Sequence, residues 1–265
     1  MNILILSNRD LASNFALNLL MPKLIGKHKI HLWLSAKVGG NIELPEQLSR
    51  LKFFEQDLFN QLLSPLFSEK NTDKLRGFES FQSYLASELI EENNINAPKT
   101  IARIKNLAPD LIVSIRYGGI LKEDCINIPT KGVLNLHSGI LPCYRGVMAT
   151  FWAMLNGDEK IGTTLHTIDD ASIDTGKIIK ISTLEVQSNK SYLWHVLELY
   201  KQGALDVFDA ISTFAQHEQV ITSAQPEGNS YFTFPTNEEL ASFEQQGFRL
   251  VDEQELLYFI RKNYL

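Results

Sequence analysis

Asn135-Leu136-His137-Ser138, Leu141-Pro142-Cys143-Tyr144-Arg145-Gly146 and Ile173-Asp174-Thr175-Gly176 bring an amide, an imidazole and a carboxylate into one stretch of chain. Asn135 and His137 stand two apart on a segment that reads as extended, so their side chains share a face. Such a pair can donate hydrogen bonds to an oxygen that gains negative charge. A carboxylate beside the imidazole can hold its tautomer or move a proton. Taken singly, each group has a plainer use: an Asn-x-His at a strand end is more often structural than catalytic. Asp174-Thr175-Gly176 has the form of the aspartic-protease turn, but that chemistry needs two carboxylates sharing a proton, and the triplet occurs once. Zinc on His137, His166 and Asp174 is another arrangement. No His-Glu-x-x-His or cysteine cluster supports it, and Asn135 would have no role, so no metal is expected.

The elements that must position these groups read as an α/β chain. Ile3–Leu6 is a short buried strand ending in Ser7-Asn8-Arg9-Asp10. An amphipathic helix follows from Leu11 to Met21, stopped by Pro22, and then a second strand over Ile30–Leu34. Strand, helix and strand in that order open a Rossmann-like, mostly parallel sheet flanked by helices, in which ligands bind at the carboxyl ends of strands. From Glu43 to Asn96, leucines and phenylalanines recur at three- and four-residue steps and predict helix, with packing as their role. Further strands are expected at Leu111–Ile115, Val133–Leu136, Gly162–Ile168 and Lys177–Ile181, with helices at Met148–Leu155 and Ser191–Gln216. Residues 1–218 are read as one catalytic domain, its motif-bearing core at 1–182. Residues 219–265 are read as a small appendage in which Tyr231–Phe234 makes a β-hairpin before a helix at Asn237.

Composition narrows the class. The 265 residues are 44% hydrophobic and 21% charged, with a formal charge of −6, which excludes low-complexity and disordered chains. Cys125 and Cys143 cannot make a disulfide framework, no apolar run approaches a membrane span, and the N-terminus lacks the form of a signal peptide. A cytoplasmic protein with no membrane partner is expected. From Thr183 to Leu265 five Lys/Arg face twelve Asp/Glu, a balance of −7, so the negative charge belongs to the last third. Such a tail repels phosphates instead of releasing their counterions, and a nucleic-acid partner is not expected.

In their order, Asn135-x-His137-Ser138, Leu141-Pro142-x-Tyr144-Arg145-Gly146 and Ile173-Asp174-Thr175-Gly176 resemble the folate-dependent formyltransferase family. That family includes methionyl-tRNA formyltransferases, glycinamide ribonucleotide formyltransferases and sugar N-formyltransferases. The resemblance covers about residues 1–182. It implies transfer of a formyl group from N10-formyltetrahydrofolate, as co-substrate, to a primary amine. His137 and Asn135 would then hydrogen-bond the developing oxyanion, while Asp174 orients His137 and collects the amine proton, directly or through water. The resemblance also implies a pterin slot from Tyr117, Gly118, Gly119, Ile120 and Leu121 and from the Ile168, Asp169 and Asp170 loop. Asn8, Arg9, Arg145 and His166 are expected to contact substrate. Ser138-Gly139 is a small departure from the family's pattern, and Cys143 is read as filler.

Among family members, the short β-prone tail resembles small bacterial sugar N-formyltransferases, which implies a nucleotide-linked amino sugar as acceptor. The tRNA-acting members carry a C-terminal barrel, and this chain is expected to lack it. The aromatics near Tyr231 could stack a base or pack a homodimer, though packing on the core is the plainer expectation. Alternatives are a methionyl-tRNA, peptide or other amine acceptor, or hydrolysis of formyltetrahydrofolate. A non-enzymatic folate- or nucleotide-binding homologue fits worst, since it needs none of Asn135, His137 and Asp174.

Overall fold

Strand β1 (Asn2–Asn8) is buried from Ile3 to Asn8, as an apolar strand covered on both faces must be. The computed structural model describes residues 1–36, 44–67, 73–228 and 230–265. Helix α1 (Leu11–Leu24) follows β1 directly, its first turn capped by the Asp10 carboxylate, which accepts from Ser13 N. It runs through Pro22 instead of ending at Met21. In the last turn the missing Pro22 N–H removes only the bond to the Asn18 carbonyl, and Ile25 N–H still reaches Met21 O at 3.0 Å.

After β2 (Lys29–Ser35) the chain forms α2 (Glu46–Lys52), which passes without a break into a π-helix at Phe53–Leu63. Two 3-10 turns follow, at Ser64–Leu66 and Glu79–Tyr84, and then a short strand β3 (Ile90–Glu91). The helix expected over 43–96 therefore gives way before its end, because Ile90–Glu91 satisfies its backbone by pairing with Trp33–Leu34 of β2. The part of that expectation on 43 and 68–72 lies outside the described residues.

The rest alternates: α3 (Pro98–Leu107), β4 (Leu111–Ile115), α4 (Glu123–Ile126), β5 (Val133–His137), β6 (Arg145–Gly146), α5 (Ala149–Leu155), β7 (Lys160–Thr167) and β8 (Ile178–Glu185). A long helix α6 (Tyr192–Ala215), strand β9 (Tyr231–Phe232), α7 (Asn237–Gln245) and α8 (Glu253–Asn263) complete it. Seven strands form one sheet in the order β3-β2-β1-β4-β5-β7-β8. Pairing is parallel from β3 to β5 and antiparallel from β5 through β8. The chain leaves β1 toward β2 and later returns to its other side as β4. The carboxyl ends of β1 and β4 therefore flank the crevice where such sheets bind ligands.

Helices α1 and α6 pack on one face over a core that also contains Leu240, Phe243, Leu256, Ile260 and Tyr264 from the C-terminal segment. Tyr264 Oη donates to Asn14 Oδ1 at 2.7 Å, and the Phe151 and Phe243 rings meet at 4.6 Å. Tyr231–Phe232 does not make a hairpin: β9 pairs in parallel with Arg145–Gly146 of β6. The Phe232 ring explains the placement, since it stacks on Tyr144 at 5.5 Å and on Trp152 at 5.0 Å. Among the described residues no helix is long and apolar enough to cross a membrane.

Candidate active site

The carboxyl end of β5 carries Asn135 and His137 toward Asp174, which enters from the loop between β7 and β8. His137 Nδ1 lies 3.5 Å from Asp174 Oδ2, and Asn135 Nδ2 lies 3.4 Å from Asp174 Oδ1. The other edge of the His137 ring is fixed, because Nε2–H donates to the Tyr144 carbonyl at 2.6 Å. Each ring nitrogen thus faces an oxygen. Asp174 is also held by the Gly146 N–H, which donates to Oδ2 at 2.9 Å.

His166 belongs to the same cluster, behind it rather than on its open side. It is buried at 1% exposure on β7, directly opposite Asn135 in the β5–β7 register. His166 Nδ1–H donates to the Thr167 carbonyl at 2.7 Å, which leaves Nε2 to accept from Asn135 Nδ2 at 3.1 Å. Both Asn135 N–H groups thus point inward in this structure, to His166 and Asp174. Burial alone would raise the Asp174 carboxyl. The nearby His137 and His166 rings and the Gly146 amide outweigh it and bring it down to about 2.

Backbone conformation helps to aim these groups. Arg116, Met148 and Asp174 have positive φ of 58, 54 and 55°, an unfavourable region for side-chain-bearing residues, and all three line one cavity. Gly146 must be glycine on two counts: its φ is 95°, and a Cβ there would come within 2.2 Å of the Phe232 carbonyl oxygen.

That cavity, about 440 Å³, opens at the carboxyl ends of β1, β4 and β5. Asn8, Tyr117, Asn135, His137 and Asp174 line it, and Leu44, Leu48, Val147, Met148 and Phe234 give it apolar walls. Other expected residues stand elsewhere. Arg9 turns away to pair with Glu79 at 2.6 Å and to lie over the Phe78 ring. Leu121 is in the core cluster beneath the sheet, and Ile168 packs against that cluster. Ile120 and Asp170 are exposed. Gly118 N–H donates to Ser35 Oγ at 3.0 Å, and Gly119 lies against the Tyr117 ring. Tyr117 Oη donates to the Glu92 carbonyl, and its titration is pushed up by burial first and then by Glu92 and Cys125. Arg145 and Asp169 line a separate, more open hollow with Lys177 and Gln225. Arg145 is tied there to Gly228 O and Gln225 Oε1.

The sequence reading missed the charged floor of the cavity. Arg116 Nε meets Asp10 Oδ2 at 3.0 Å and Arg116 Nη2 meets Glu55 Oε1 at 3.2 Å, with Tyr192 and Tyr200 of α6 alongside. Asp10 had a visible signal, a helix cap after a buried strand. Glu55 had none, since it lies on a segment whose periodicity speaks only of packing.

The structure is thus an open α/β sheet with an amide, an imidazole and a carboxylate together at its ligand-binding edge. Residues 62–198 match the formyl transferase family, and the chain belongs to that family. Over 135 residues it is 35% identical to a methionyl-tRNA formyltransferase of Clostridium novyi (strain NT), covering 48% of this chain and 42% of that one. The matches span less than half the length of the methionyl-tRNA formyltransferases concerned. Among solved structures, it resembles a sugar N-formyltransferase from Shewanella sp FDAARGOS_354 with a TM-score of 0.58 and 15% identity, over 93% of this chain and 88% of that one. It also resembles an N-formyltransferase from Helicobacter canadensis in complex with folinic acid and dTDP-3-aminofucose. There the TM-score is 0.59 at 14% identity, over 96% of this chain and 82% of that one. These two likenesses establish the shared fold.

Proposed function

We propose that this chain transfers a formyl group from N10-formyltetrahydrofolate to the primary amine of a small substrate, a nucleotide-linked amino sugar being favoured. The observation that carries the reading is the convergence of Asn135, His137 and Asp174 on one cavity. The cavity's volume and its Tyr117, Leu44, Leu48, Met148 and Phe234 walls suit a flat heteroaromatic ring. The bound folate would supply the formyl carbon. Asn135 Nδ2 and His137 Nδ1 supply the donors for its oxygen. Their present bonds to Asp174 and His166, 3.1 to 3.5 Å long, are of the loose kind that rearrange when a reacting atom enters. Asp174 keeps the imidazole turned and balances its charge. The acceptor amine enters from the Asn8 side of the crevice.

Two solved relatives of the same fold are sugar N-formyltransferases by description, which supports the sugar acceptor. The methionyl-tRNA formyltransferases favour a second reading, the amino group of an aminoacyl-tRNA. The −7 balance of residues 183–265 weighs against that polyanion. Thermal stabilisation across nucleotide-linked amino sugars, aminoacyl-tRNA and amino-terminal peptides separates them. A ligand at a hundred times its Kd adds about 2.7 kcal/mol. Stabilisation by a nucleotide-linked amino sugar alone is expected, and stabilisation by aminoacyl-tRNA alone overturns the sugar reading. Release of tetrahydrofolate that is equally fast without any amine overturns the transferase itself in favour of a hydrolase.

A further inference from the structure

Among the described residues three carboxylates line the cavity: Asp10, Glu55 and Asp174. A transfer to a primary amine has to dispose of protons, because most alkylamines arrive as ammonium ions at neutral pH and must be neutral to attack. Asp174 is poorly placed for this. Its Oδ1 faces Asn135 and His166, its Oδ2 faces Gly146 N–H and His137, and these partners hold it at about 2. Asp10 is also saturated. Its Oδ1 accepts from Ser13 N, and its Oδ2 accepts from Asn8 Nδ2 at 2.7 Å and from Arg116 Nε at 3.0 Å. Glu55 differs. Oε1 takes Arg116 Nη2, while Oε2 makes no hydrogen bond among the described residues.

Its position suits the task. Ile115 pairs with Leu136 in the β4–β5 register, so Arg116 follows β4 at the level of His137. Glu55, held to Arg116 at 3.2 Å, reaches this end of the sheet from the π-helix. We propose that Glu55 receives the proton of the acceptor ammonium, which makes the 46–63 segment the acceptor-side wall of the site. This rests on the transferase reading above. In the balance, R–NH3+ gives one proton to the Glu55 carboxylate, and the free amine forms a C–N bond to the formyl carbon. That carbon's bond to folate N10 then breaks, and N10 takes the second amine proton. Glu55 returns its proton to solvent.

The groups that face Glu55 are Arg116 after β4, Asp10 at the α1 cap, Tyr192 and Tyr200 on α6, and Lys52 on its own helical segment, with His137 and Asp174 in the same cavity. Burial lifts the Glu55 carboxyl, Arg116 opposes it and Asp10 adds to it, leaving it at about 7. A base of that strength matches proton removal near neutrality.

The test compares wild type with Glu55→Gln, using dTDP-3-aminofucose and hydroxylamine as acceptors. Hydroxylamine is largely unprotonated at pH 7 and needs no base. With the sugar, Glu55→Gln is expected to lose about 10²-fold or more in kcat, and its acidic limb is expected to move up from near 7 toward the titration of the substrate ammonium itself. With hydroxylamine it stays within a few-fold of wild type. An equal loss with both acceptors, or a limb that stays where it is in wild type, overturns the proposal. Arg116→Gln gives an independent arm that does not depend on the folding of the first variant: the acidic limb moves to higher pH, and an unmoved limb also overturns it. A readout apart from turnover is the infrared titration of the wild-type protein, in which a buried carboxyl C=O band fades through neutrality. Its absence counts against Glu55. Wild-type protein with no amine-dependent turnover defeats the transferase reading instead, and is distinguishable from a wild type whose profile Glu55→Gln leaves unchanged.

Discussion

Asp174 Oδ2 lies 3.5 Å from His137 Nδ1 while its other oxygen lies 3.4 Å from the Nε2 of a second imidazole, so one carboxylate joins a cavity-facing ring to a buried one. His137 thereby depends on the β7–β8 loop for its orientation, and that loop depends on what its carboxylate can grip.

Asp174→Asn should therefore lower kcat by about 10²- to 10³-fold, the order seen for loss of an orienting or oxyanion group, with little change in the KM for amine. The same variant changes acid stability. The folded carboxyl titrates at about 2, below its ordinary 3.8, so its stabilisation is present above about pH 4 and is lost as pH falls toward 2. That loss is worth roughly 2 kcal/mol in wild type. Asp174→Asn should flatten the acid side of the stability curve in urea titrations between pH 4 and 2. An unaltered slope there counts against the pairing.

His166→Leu removes the partner of one Asn135 N–H and one neighbour of the Asp174 carboxylate, while the His137 bond to the Tyr144 carbonyl stays. The expected outcome is a drop of about tenfold in kcat with an unchanged folate KM, since the loss concerns aim rather than binding. A change confined to KM would show that His166 shapes the cavity and not the amide.

Gly146→Ala should destabilise by about 2 kcal/mol or more, from its left-handed φ and the collision with the Phe232 carbonyl. Because the Gly146 N–H also holds Asp174, kcat should fall in the same variant by more than its lowered melting temperature explains. Phe232→Ala tests this from the other strand: the stacked ring is lost from between Tyr144 and Trp152, at about 2 to 4 kcal/mol. If its activity per folded molecule stays at the wild-type level, the two-strand brace does not tune the site.

Glu55→Gln should alter stability in the opposite pH sense to Asp174→Asn. A carboxyl raised to about 7 by burial is protonated more readily in the folded chain than in the unfolded one. Its contribution therefore favours the fold at low pH and weakens as pH rises from about 4.5 through 7. The amide carries no such penalty, so the variant should gain on wild type above pH 7 in thermal unfolding. Parallel curves from pH 5 to 8 would contradict the raised carboxyl.

The parts of the fold that could be read in the sequence were those set by local pattern. The buried runs Ile3–Leu6 and Leu111–Ile115 and the long helix ending near Gln216 speak through hydrophobicity and capping alone. Asn135, His137 and Asp174 were legible because one motif string contains them. What escaped notice depends on distant partners. Ile90–Glu91 becomes a strand only because β2 offers an open edge, and β9 leaves its expected hairpin because Tyr144 and Trp152 present rings to Phe232. Arg9 points away because Glu79, seventy residues on, offers it a partner. Glu55 and Arg116 carry no sequence signal, since their meaning lies in a contact between an insert and a strand end.

The β6–β9 pairing also sets an order of events during synthesis. His137, Gly146 and Asp174 are made long before Phe232, yet the Val147 N–H reaches its partner in the Phe232 carbonyl, at 2.9 Å. A chain halted before that residue lacks this acceptor for the Val147 N–H beside Gly146. The pairing thus ties the backbone that grips Asp174 to a residue more than eighty positions further along the chain.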